Sequence, residues 1–164
     1  KLDSLNAEVR RLGIENILTQ QVNLLKATIK DFNGYFDRVL LDAPCSGLGV
    51  MRRNPDTKWK RTLKDVLRLS AQQKKMLSAA ANLVKPGGVL VYAVCSCEPE
   101  ENEQVITAFL QKRKDYSLDS DLEGISVLSN ANLKTPGHFF KTYPEGHVMD
   151  GFFAARLKRA DKTP

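Results

Sequence analysis

Two apolar runs, each followed at once by a cysteine-bearing loop, constrain the fold of this 164-residue chain more than any other feature. The run Val39-Leu40-Leu41 is uninterrupted, which is typical of a strand buried on both faces of a parallel sheet. Residues 89–94 form a second such run, and residues 63–84 between them carry apolar side chains at helical spacing. This alternation of strand, helix and strand predicts an α/β layer fold with a mostly parallel sheet.

The two cysteine loops are predicted to meet at one edge of that sheet. Ligands bind outside the carboxyl ends of the strands in sheets of this kind. A right-handed crossover through the predicted helix makes the two strands neighbours, about 4.8 Å apart. Cys45 and Cys95 each follow one of these strands, so we expect both thiols to face one crevice.

The rest of the chain adds flanking elements to this unit. Apolar residues at three- and four-residue spacing predict helices, and short apolar runs predict strands. The expected elements are a helix over 2–12, a short strand over 17–22, a helix from Pro99, an irregular stretch over 119–146 and a closing strand over 151–157. Proline fits a first helical turn and the glutamates after it suit the positive helix end, which places the start of the last helix.

The number of cysteines and the length of the apolar runs indicate the cellular compartment. Three cysteines are an odd count that disulfides cannot fully pair, which favours free thiols in a reducing compartment. No apolar run reaches the roughly 20 residues needed to span a bilayer. The sequence also shows no signal peptide at Lys1. We therefore expect a cytoplasmic protein without membrane contact.

Cys95 is the stronger candidate for a reactive thiol. It lies just ahead of the helix expected from Pro99, and a helix amino terminus lowers the pKa of a nearby cysteine. A free cysteine can equally be a small buried apolar residue. Position alone leaves both interpretations open.

Cys95 and Cys97 also raise the question of a metal or redox pair. Structural zinc sites use four ligands and wider cysteine spacing, and His138 and His147 are the two histidines that would have to complete the set. Both lie in the stretch expected to be irregular. We expect loop or surface histidines there, and no metal site.

Two long motifs carry a resemblance to a known family. Residues 42–49 (Asp-Ala-Pro-Cys-Ser-Gly-Leu-Gly) and 94–102 (Val-Cys-Ser-Cys-Glu-Pro-Glu-Glu-Asn) resemble the Nop/Sun family of RNA cytosine-C5 methyltransferases. Residues 52–59 and 150–157 resemble its bacterial Sun/Fmu (RsmB-type) branch, whose members modify small-subunit ribosomal RNA. Two such motifs in this order, separated by a helix, are specific, whereas a lone Pro-Cys pair is not.

The resemblance implies a Rossmann-like, S-adenosylmethionine-dependent methyltransferase fold and a covalent mechanism. Attack of a thiolate on C6 of cytosine makes C5 enamine-like, and thus reactive toward the methyl group of S-adenosylmethionine. The family assigns the attack to Cys95 and assistance in enzyme release to Cys45. Asp42 is expected to contact the cytosine or the cofactor. Asn23 is expected to contact the cofactor near its adenine, with a turn asparagine as the plain alternative.

A basic stretch directly after the first cysteine loop is the expected RNA contact. The formal net charge of the chain is +6, and residues 51–68 hold seven Lys and Arg against two Asp. Basic side chains neutralise phosphates and an aromatic ring stacks on bases. The alternative is a solvated helix entrance with a tryptophan that caps the core. The candidate RNA contacts are Arg52, Arg53, Lys58, Trp59, Lys60 and Arg61.

The chain departs from the family pattern on its amino-terminal side. It contains no Gly-rich cofactor loop, so the resemblance implies a sheet that lacks its first strands beside residues 39–42. We expect residues 1–159 to form a partial catalytic domain, the carboxyl-terminal part, with a frayed tail at 160–164. An uncovered sheet edge invites pairing, which opens a route to edge-to-edge self-association of the chain.

Two other classes of protein fit parts of the pattern. A non-catalytic RNA-binding module would keep the fold and the basic stretch without binding the cofactor. A thiol redox or metal protein would use the cysteines alone. Binding of S-adenosylmethionine separates the enzyme from the module, and elemental analysis detects a metal.

Overall fold

A mixed sheet flanked by helices organises the part of the chain that the structure, a computed structural model, describes. The described residues are 2–32, 34–119, 134–135, 139–144 and 149–161. The helices are α1 (Leu2–Arg11), α2 (Thr57–Lys60), α3 (Leu63–Ala81) and α4 (Glu103–Lys112), with short 3-10 turns at Ile29–Asp31 and Leu48–Val50. The strands are β1 (Phe36–Asp42), β2 (Val84–Val94), β3 (Tyr116–Leu118), β4 (Lys134–Thr135), β5 (Phe139–Thr142) and β6 (Phe152–Arg159).

The predicted parallel pair is the framework of the sheet. β1 and β2 pair in parallel, with Asp42 opposite Ala93, and α3 connects them as the sequence predicts. The start of α3 is fixed by a capping box, since Thr62 and Asp65 exchange hydrogen bonds between side chain and backbone. The carboxyl ends of β1 and β2 therefore lie side by side.

The strands that follow α4 join this pair in antiparallel fashion. The described sheet has the order β1-β2-β6-β5-β4, and β3 also pairs with β6. Every pairing of β6, and that of β4 with β5, is antiparallel, so the parallel pairing is confined to β1 and β2 among the described strands. β6 confirms the predicted closing strand. β4 and β5 lie within residues 119–146, so the expectation of an irregular stretch is wrong for these strands. Their segments carry little local signal, because pairing with each other and with the distant β6 makes them strands.

The hydrophobic core lies between the sheet and the helices α3 and α4. Its buried members include Leu77, Ala80, Leu90, Tyr92, Ile106, Phe109, Phe153 and Leu157. Full burial of one such large side chain stabilises the fold by about 1.5–3 kcal/mol. No helix in the described ranges is long and apolar enough to cross a membrane.

β1 is an edge strand of the described sheet, and one of its faces is open. Leu40 is 69% exposed, whereas its neighbour Leu41 is buried. The expectation of a strand buried on both faces is thus wrong for β1, because the core residues of α3 and α4 pack on the face of Leu41 and leave the face of Leu40 exposed. In the central β2, the face that carries Leu90, Tyr92 and Val94 is fully buried, and Val91 and Ala93 on the other face are half-buried.

The predicted strand over residues 17–22 does not form. Leu18 is 94% exposed and Ile17 is 43% exposed. A strand needs a partner for its backbone groups, and none of the described strands pairs with this segment. The prediction is wrong because a short apolar run becomes a strand only when it pairs with another strand of the sheet, and this run pairs with none of the described strands.

Candidate active site

The loops after β1 and β2 bring two thiols into contact, as the sequence predicts. Cys45 Sγ and Cys95 Sγ lie 3.2 Å apart, within hydrogen-bond distance, and both residues are half-buried. The register of the strands continues into the loops, since the backbone N–H of Ala43 donates to the carbonyl oxygen of Ala93 at 3.0 Å. The fold therefore places one thiol as hydrogen-bond donor to the other.

The contact between the thiols separates their pKa values. Donation from Cys45 lowers the pKa of Cys95 to about 7, against burial and the nearby carboxylates of Asp42 and Glu101, which raise it. The pKa of Cys45 is raised, first by its hydrogen bond to Cys95 and then by burial. Cys95 is therefore the thiol that ionises near neutral pH, while Cys45 keeps its proton.

The lowered pKa of Cys95 has a different cause from the one that the sequence suggests. α4 begins at Glu103 rather than near Pro99, because residues 99–102 form hydrogen-bonded turns. The helix start therefore lies further along the chain from Cys95 than expected. The thiol of Cys45 provides the main stabilisation of the thiolate.

Asp42 lies at the carboxyl end of β1, next to the thiol pair. It is exposed, and its carboxylate is close enough to Cys95 to raise the pKa of that thiol. Ala93, its partner in the register, is only two residues before Cys95. The Asp42 carboxylate is therefore a neighbour of the Cys95 thiol.

The second predicted cofactor contact, Asn23, has a local structural role. Its Oδ1 accepts a hydrogen bond from the backbone N–H of Leu25 at 3.1 Å, which makes it a turn asparagine. The cavity beside it has a volume of about 220 Å³, below the range of about 300–1,000 Å³ that is typical of ligand pockets. The small cavity and the turn hydrogen bond give no support to a nucleoside site at Asn23, and the cofactor contact of Asp42 also stays a prediction. The contact at Asn23 stays a prediction.

Cys97 is separate from the thiol pair. Its Sγ lies against Gly151, where an added Cβ would clash with it. Burial, followed by the charge of Glu98, raises the pKa of Cys97. The described residues contain no group of three or more His, Cys, Asp or Glu that could hold a metal ion. His138 and His147 lie outside the described residues.

Two glycines allow the loop before β6 to pack on the cysteine loops. The N–H of Gly49 donates to the carbonyl oxygen of Cys95 at 3.1 Å, and the N–H of Gly151 donates to Gly49 at 2.7 Å. A Cβ on Gly49 would clash with the backbone of Gly151. Three loops are therefore joined backbone to backbone at a point that has no room for side chains.

Three of the predicted RNA contacts also hold the site together. Arg53 lies 2.6 Å from the buried carboxylate of Asp150, and Arg52 lies 3.6 Å from it. Arg61 Nε donates to the carbonyl oxygen of Ser46 at 2.9 Å. These arginines therefore tie the basic stretch to the loops around the thiols.

The other three predicted RNA contacts lie on the outer surface. Trp59 is 83% exposed, and Lys58 Nζ lies 5.5 Å from the centroid of its ring. Lys60 lies 3.3 Å from Asp56 in an exposed ion pair. The alternative in which the tryptophan caps the core is wrong, because its ring is largely in solvent. Contact with RNA stays a prediction for all six residues.

Sequence reasoning missed Glu101, which is fully buried between the cysteine loops. It lies among other glutamates, and glutamate is rarely buried, so composition gives no indication of its position. One signal is present: Val105 and Phe109 follow at spacings of four residues, and both are buried. Continuing this face backward by one turn places Glu101 at the core.

Comparison with known proteins agrees with the resemblance seen in the motifs. Residues 1–158 match the family 16S rRNA methyltransferase RsmB/F. The probable ribosomal RNA small subunit methyltransferase B of Synechocystis sp. is 39% identical over 98% of this chain, and the match covers 35% of that protein. The crystal structure of NSun6 from Pyrococcus horikoshii with SFG has a TM-score of 0.79 at 32% identity, covering 99% of this chain and 39% of that one. A methyltransferase homologue from the same organism has a TM-score of 0.71 at 30% identity, covering 96% and 50%.

These matches extend over almost the whole chain, which spans about a third of the length of the curated relatives. The likeness to the solved structures confirms the predicted Rossmann-like methyltransferase fold. From the extent of the family match and the identity to its members, the chain belongs to the 16S rRNA methyltransferase RsmB/F family.

Proposed function

We propose that the intact protein transfers a methyl group from S-adenosylmethionine to C5 of a cytosine in small-subunit ribosomal RNA, through a covalent bond between Cys95 and C6. The observation that carries the proposal is the 3.2 Å contact between the two thiols, one of which ionises near neutral pH. The relatives are named as small-subunit ribosomal RNA methyltransferases, which supports the substrate class. When bound, S-adenosylmethionine supplies the electrophilic methyl group.

The first task of the protein is to activate the base, because C5 of cytosine is a poor nucleophile. The base leaves any stack to enter the crevice, and the Cys95 thiolate forms a bond to C6. Its electron pair enters the ring and makes C5 nucleophilic. At neutral pH a thiol with a pKa of about 7 is roughly half ionised. The exposed carboxylate of Asp42 accepts hydrogen bonds from the cytosine edge and orients the ring.

The second task is release of the product. Loss of the C5 proton to solvent returns an electron pair to the ring, and the bond between C6 and Cys95 breaks with the thiolate as leaving group. Cys45 lies 3.2 Å from that sulfur and its raised pKa keeps it protonated. Its S–H therefore donates to the departing thiolate and makes Cys95 a better leaving group. Without Cys45 the adduct persists.

Recruitment of the RNA falls to the exposed part of the basic stretch. Lys58 and Lys60 neutralise backbone phosphates, and Trp59 offers an exposed ring for a base to stack on. Both reacting thiols have to stay reduced, which suits the cytoplasm. Residues 1–159 act in this proposal as part of the catalytic domain.

The mechanism is tested with ribosomal RNA that contains 5-fluorocytidine, incubated with the intact protein and S-adenosylmethionine. Fluorine at C5 cannot leave as a proton, so the adduct accumulates and peptide mass mapping locates it. An adduct on Cys95 supports the mechanism, and an adduct on Cys45 overturns the assigned cysteine roles. Bound RNA without an adduct favours the non-catalytic RNA-binding module. Cys97→Ser, which leaves both reacting thiols in place, is the matched control.

A further inference from the structure

Glu101 is contacted by both cysteine loops and by α3. Its Oε1 accepts hydrogen bonds from the backbone N–H of Ser46 and from Nε2 of Gln73, each at 2.9 Å. Its Oε2 accepts from the hydroxyls of Ser46 at 2.5 Å and Ser96 at 2.6 Å. Four donors from three parts of the chain therefore converge on one fully buried carboxyl group.

The two serines on this carboxyl group are the immediate neighbours of the two thiols. Ser46 follows Cys45, Ser96 follows Cys95, and both serines are buried. The separation of the thiols depends on how the two loops sit relative to each other. A side chain that binds the residue after each cysteine fixes that relation directly.

Gln73 extends the same network to the helix that connects the strands. Its Nε2 donates to the carbonyl oxygen of Pro44 at 3.0 Å as well as to Glu101. The residues on both sides of Cys45 are therefore bonded to a network centred on Glu101. This loop is held at two points rather than at one.

The energetics indicate that Glu101 is present for its hydrogen bonds rather than for its charge. The four partners on its oxygens are uncharged, so its burial is compensated by hydrogen bonding and not by an ion pair. Its charge raises the pKa of Cys95, which opposes formation of the thiolate. The benefit to the site therefore has to be geometric.

We propose that Glu101 is a positioning residue that holds the Cys45 and Cys95 loops in register through Ser46 and Ser96. The inference deepens the proposed function and rests on it, because the thiol contact is the feature that the proposed reaction uses. Glu101 does not touch the reacting atoms. Its effect reaches the substrate through the two cysteines.

Two variants of Glu101 separate geometry from charge. Glu101→Gln keeps an oxygen that accepts from Ser46 N–H and Gln73 Nε2, which can only donate. Its amide nitrogen then faces the hydroxyls of Ser46 and Ser96, which can rotate to accept hydrogen bonds from it. It therefore keeps the positioning and loses the charge. Glu101→Ala loses both.

The first readout is the turnover of RNA methylation by the intact protein. A misplacement of about 1 Å costs on the order of 100-fold in rate, so we expect Glu101→Ala to lower kcat by about that factor with little change in KM for RNA. Glu101→Gln should retain kcat to within about tenfold. Glu100→Gln, a change at the neighbouring half-buried carboxyl, is the matched control.

The second readout is the pH dependence of Cys95 alkylation by iodoacetamide, which does not require methyl transfer. Loss of charge alone stabilises the thiolate, so the Glu101→Gln profile should move to lower pH. Loss of positioning weakens the larger effect, the hydrogen bond from Cys45, so the Glu101→Ala profile should move to higher pH. A role confined to charge shifts both variants to lower pH.

Opposite shifts together with the loss of kcat in Glu101→Ala support the proposal. Shifts in the same direction, or a Glu101→Ala protein with wild-type kcat, overturn it. If Glu101→Ala does not fold, Ser96→Ala tests the proposal instead, because it removes the hydroxyl that links the Cys95 loop to Glu101. It should lower kcat and move the alkylation profile to higher pH, and an unchanged protein overturns the proposal. A wild-type protein that never methylates RNA contradicts the proposed function. In that case the alkylation profiles of the Glu101 variants still test whether Glu101 positions the two thiols.

Discussion

Arg61 Nε donates a hydrogen bond of 2.9 Å to the carbonyl oxygen of Ser46, fifteen residues earlier in the chain. The basic stretch is therefore attached to the cysteine loop that precedes it. Arg53 makes a second attachment through the buried carboxylate of Asp150. Arg53 and Arg61 thus have a structural role, and we expect the RNA-binding role to fall to the exposed Lys58 and Lys60.

Substitution of Arg61 and of Lys58 should accordingly have different effects. Arg61→Ala removes a hydrogen bond to the cysteine loop and should lower the free energy of unfolding by about 1 kcal/mol. Lys58→Ala should leave the melting temperature unchanged, weaken RNA binding and reduce the salt slope of affinity by about 1. Thermal unfolding and RNA titrations over a salt series measure both effects. A destabilised Lys58→Ala protein would contradict this division.

Trp59 should contribute to RNA affinity without contributing to stability. Its ring is 83% exposed, so Trp59→Ala removes little buried apolar surface and should keep the wild-type melting temperature. Stacking of a base on an aromatic ring is worth about 1–3 kcal/mol, so affinity for single-stranded RNA should fall by about 5- to 150-fold. Trp59→Tyr keeps an aromatic face and should retain most of the affinity. Equal binding by Trp59→Ala would exclude the ring from the RNA contact.

The parts of the fold that the sequence predicts are those with strong local patterns. The runs ending at Asp42 and Val94 and the apolar face of α3 are visible in single stretches, and they suffice to place Cys45 beside Cys95. Residues 17–22 have the pattern of a strand but no described partner, because pairing is decided by the sheet and not by the segment. β5 is the reverse case, since β6 pairs with a segment whose own pattern is weak.

The site is less predictable than the fold because its hydrogen bonds join distant residues. Glu101 and Ser46 are 55 positions apart, and a buried carboxyl group has no distinctive sequence pattern. The cause of the lowered pKa of Cys95 is also non-local, since it depends on a thiol 50 positions away. Motifs point to the candidate thiols, and tertiary contacts determine their pKa values.

Cys45→Ala should make Cys95 less reactive at neutral pH. In the wild-type protein the thiolate fraction of Cys95 rises with pH through about 7. Without the hydrogen bond from Cys45 the pKa of Cys95 should return toward the ordinary cysteine value of about 8.5, so alkylation at pH 7 should slow about tenfold. Rates of iodoacetamide labelling across pH 5–10 give the two profiles. Cys97→Ala, which leaves the thiol pair intact, should match the wild type, and an unshifted Cys45→Ala profile would contradict the assigned cause.

The edge of β1 that no described strand covers should allow the 164-residue chain to associate with itself. The charged residues of β1, Asp37, Arg38 and Asp42, flank the apolar run 39–41, in which Leu40 is 69% exposed. An unpaired apolar edge templates further pairing. We expect concentration-dependent dimers in sedimentation velocity, and we expect Leu40→Lys to shift the chain to the monomer. Leu67→Lys adds the same charge on α3, where Leu67 is 52% exposed, and should leave the dimer in place. A monomer at all concentrations would remove the edge as an association site.

Gly49→Ala should lower the free energy of unfolding by more than the usual backbone cost of replacing a glycine, because the added Cβ clashes with neighbouring loops. A Cβ at this position would clash with the backbone of Gly151 and lie 3.0 Å from the backbone carbon of Cys95, and neither can move without displacing its loop. Overpacking of this kind costs about 1–3 kcal/mol. Gly13→Ala is the matched control, because Gly13 has a φ of +65° and an added Cβ there meets nothing within 4 Å. Its cost is the backbone strain alone, about 1 kcal/mol. Urea unfolding of both variants should give the larger loss for Gly49→Ala, together with slower alkylation of Cys95, whereas Gly13→Ala should alkylate at the wild-type rate.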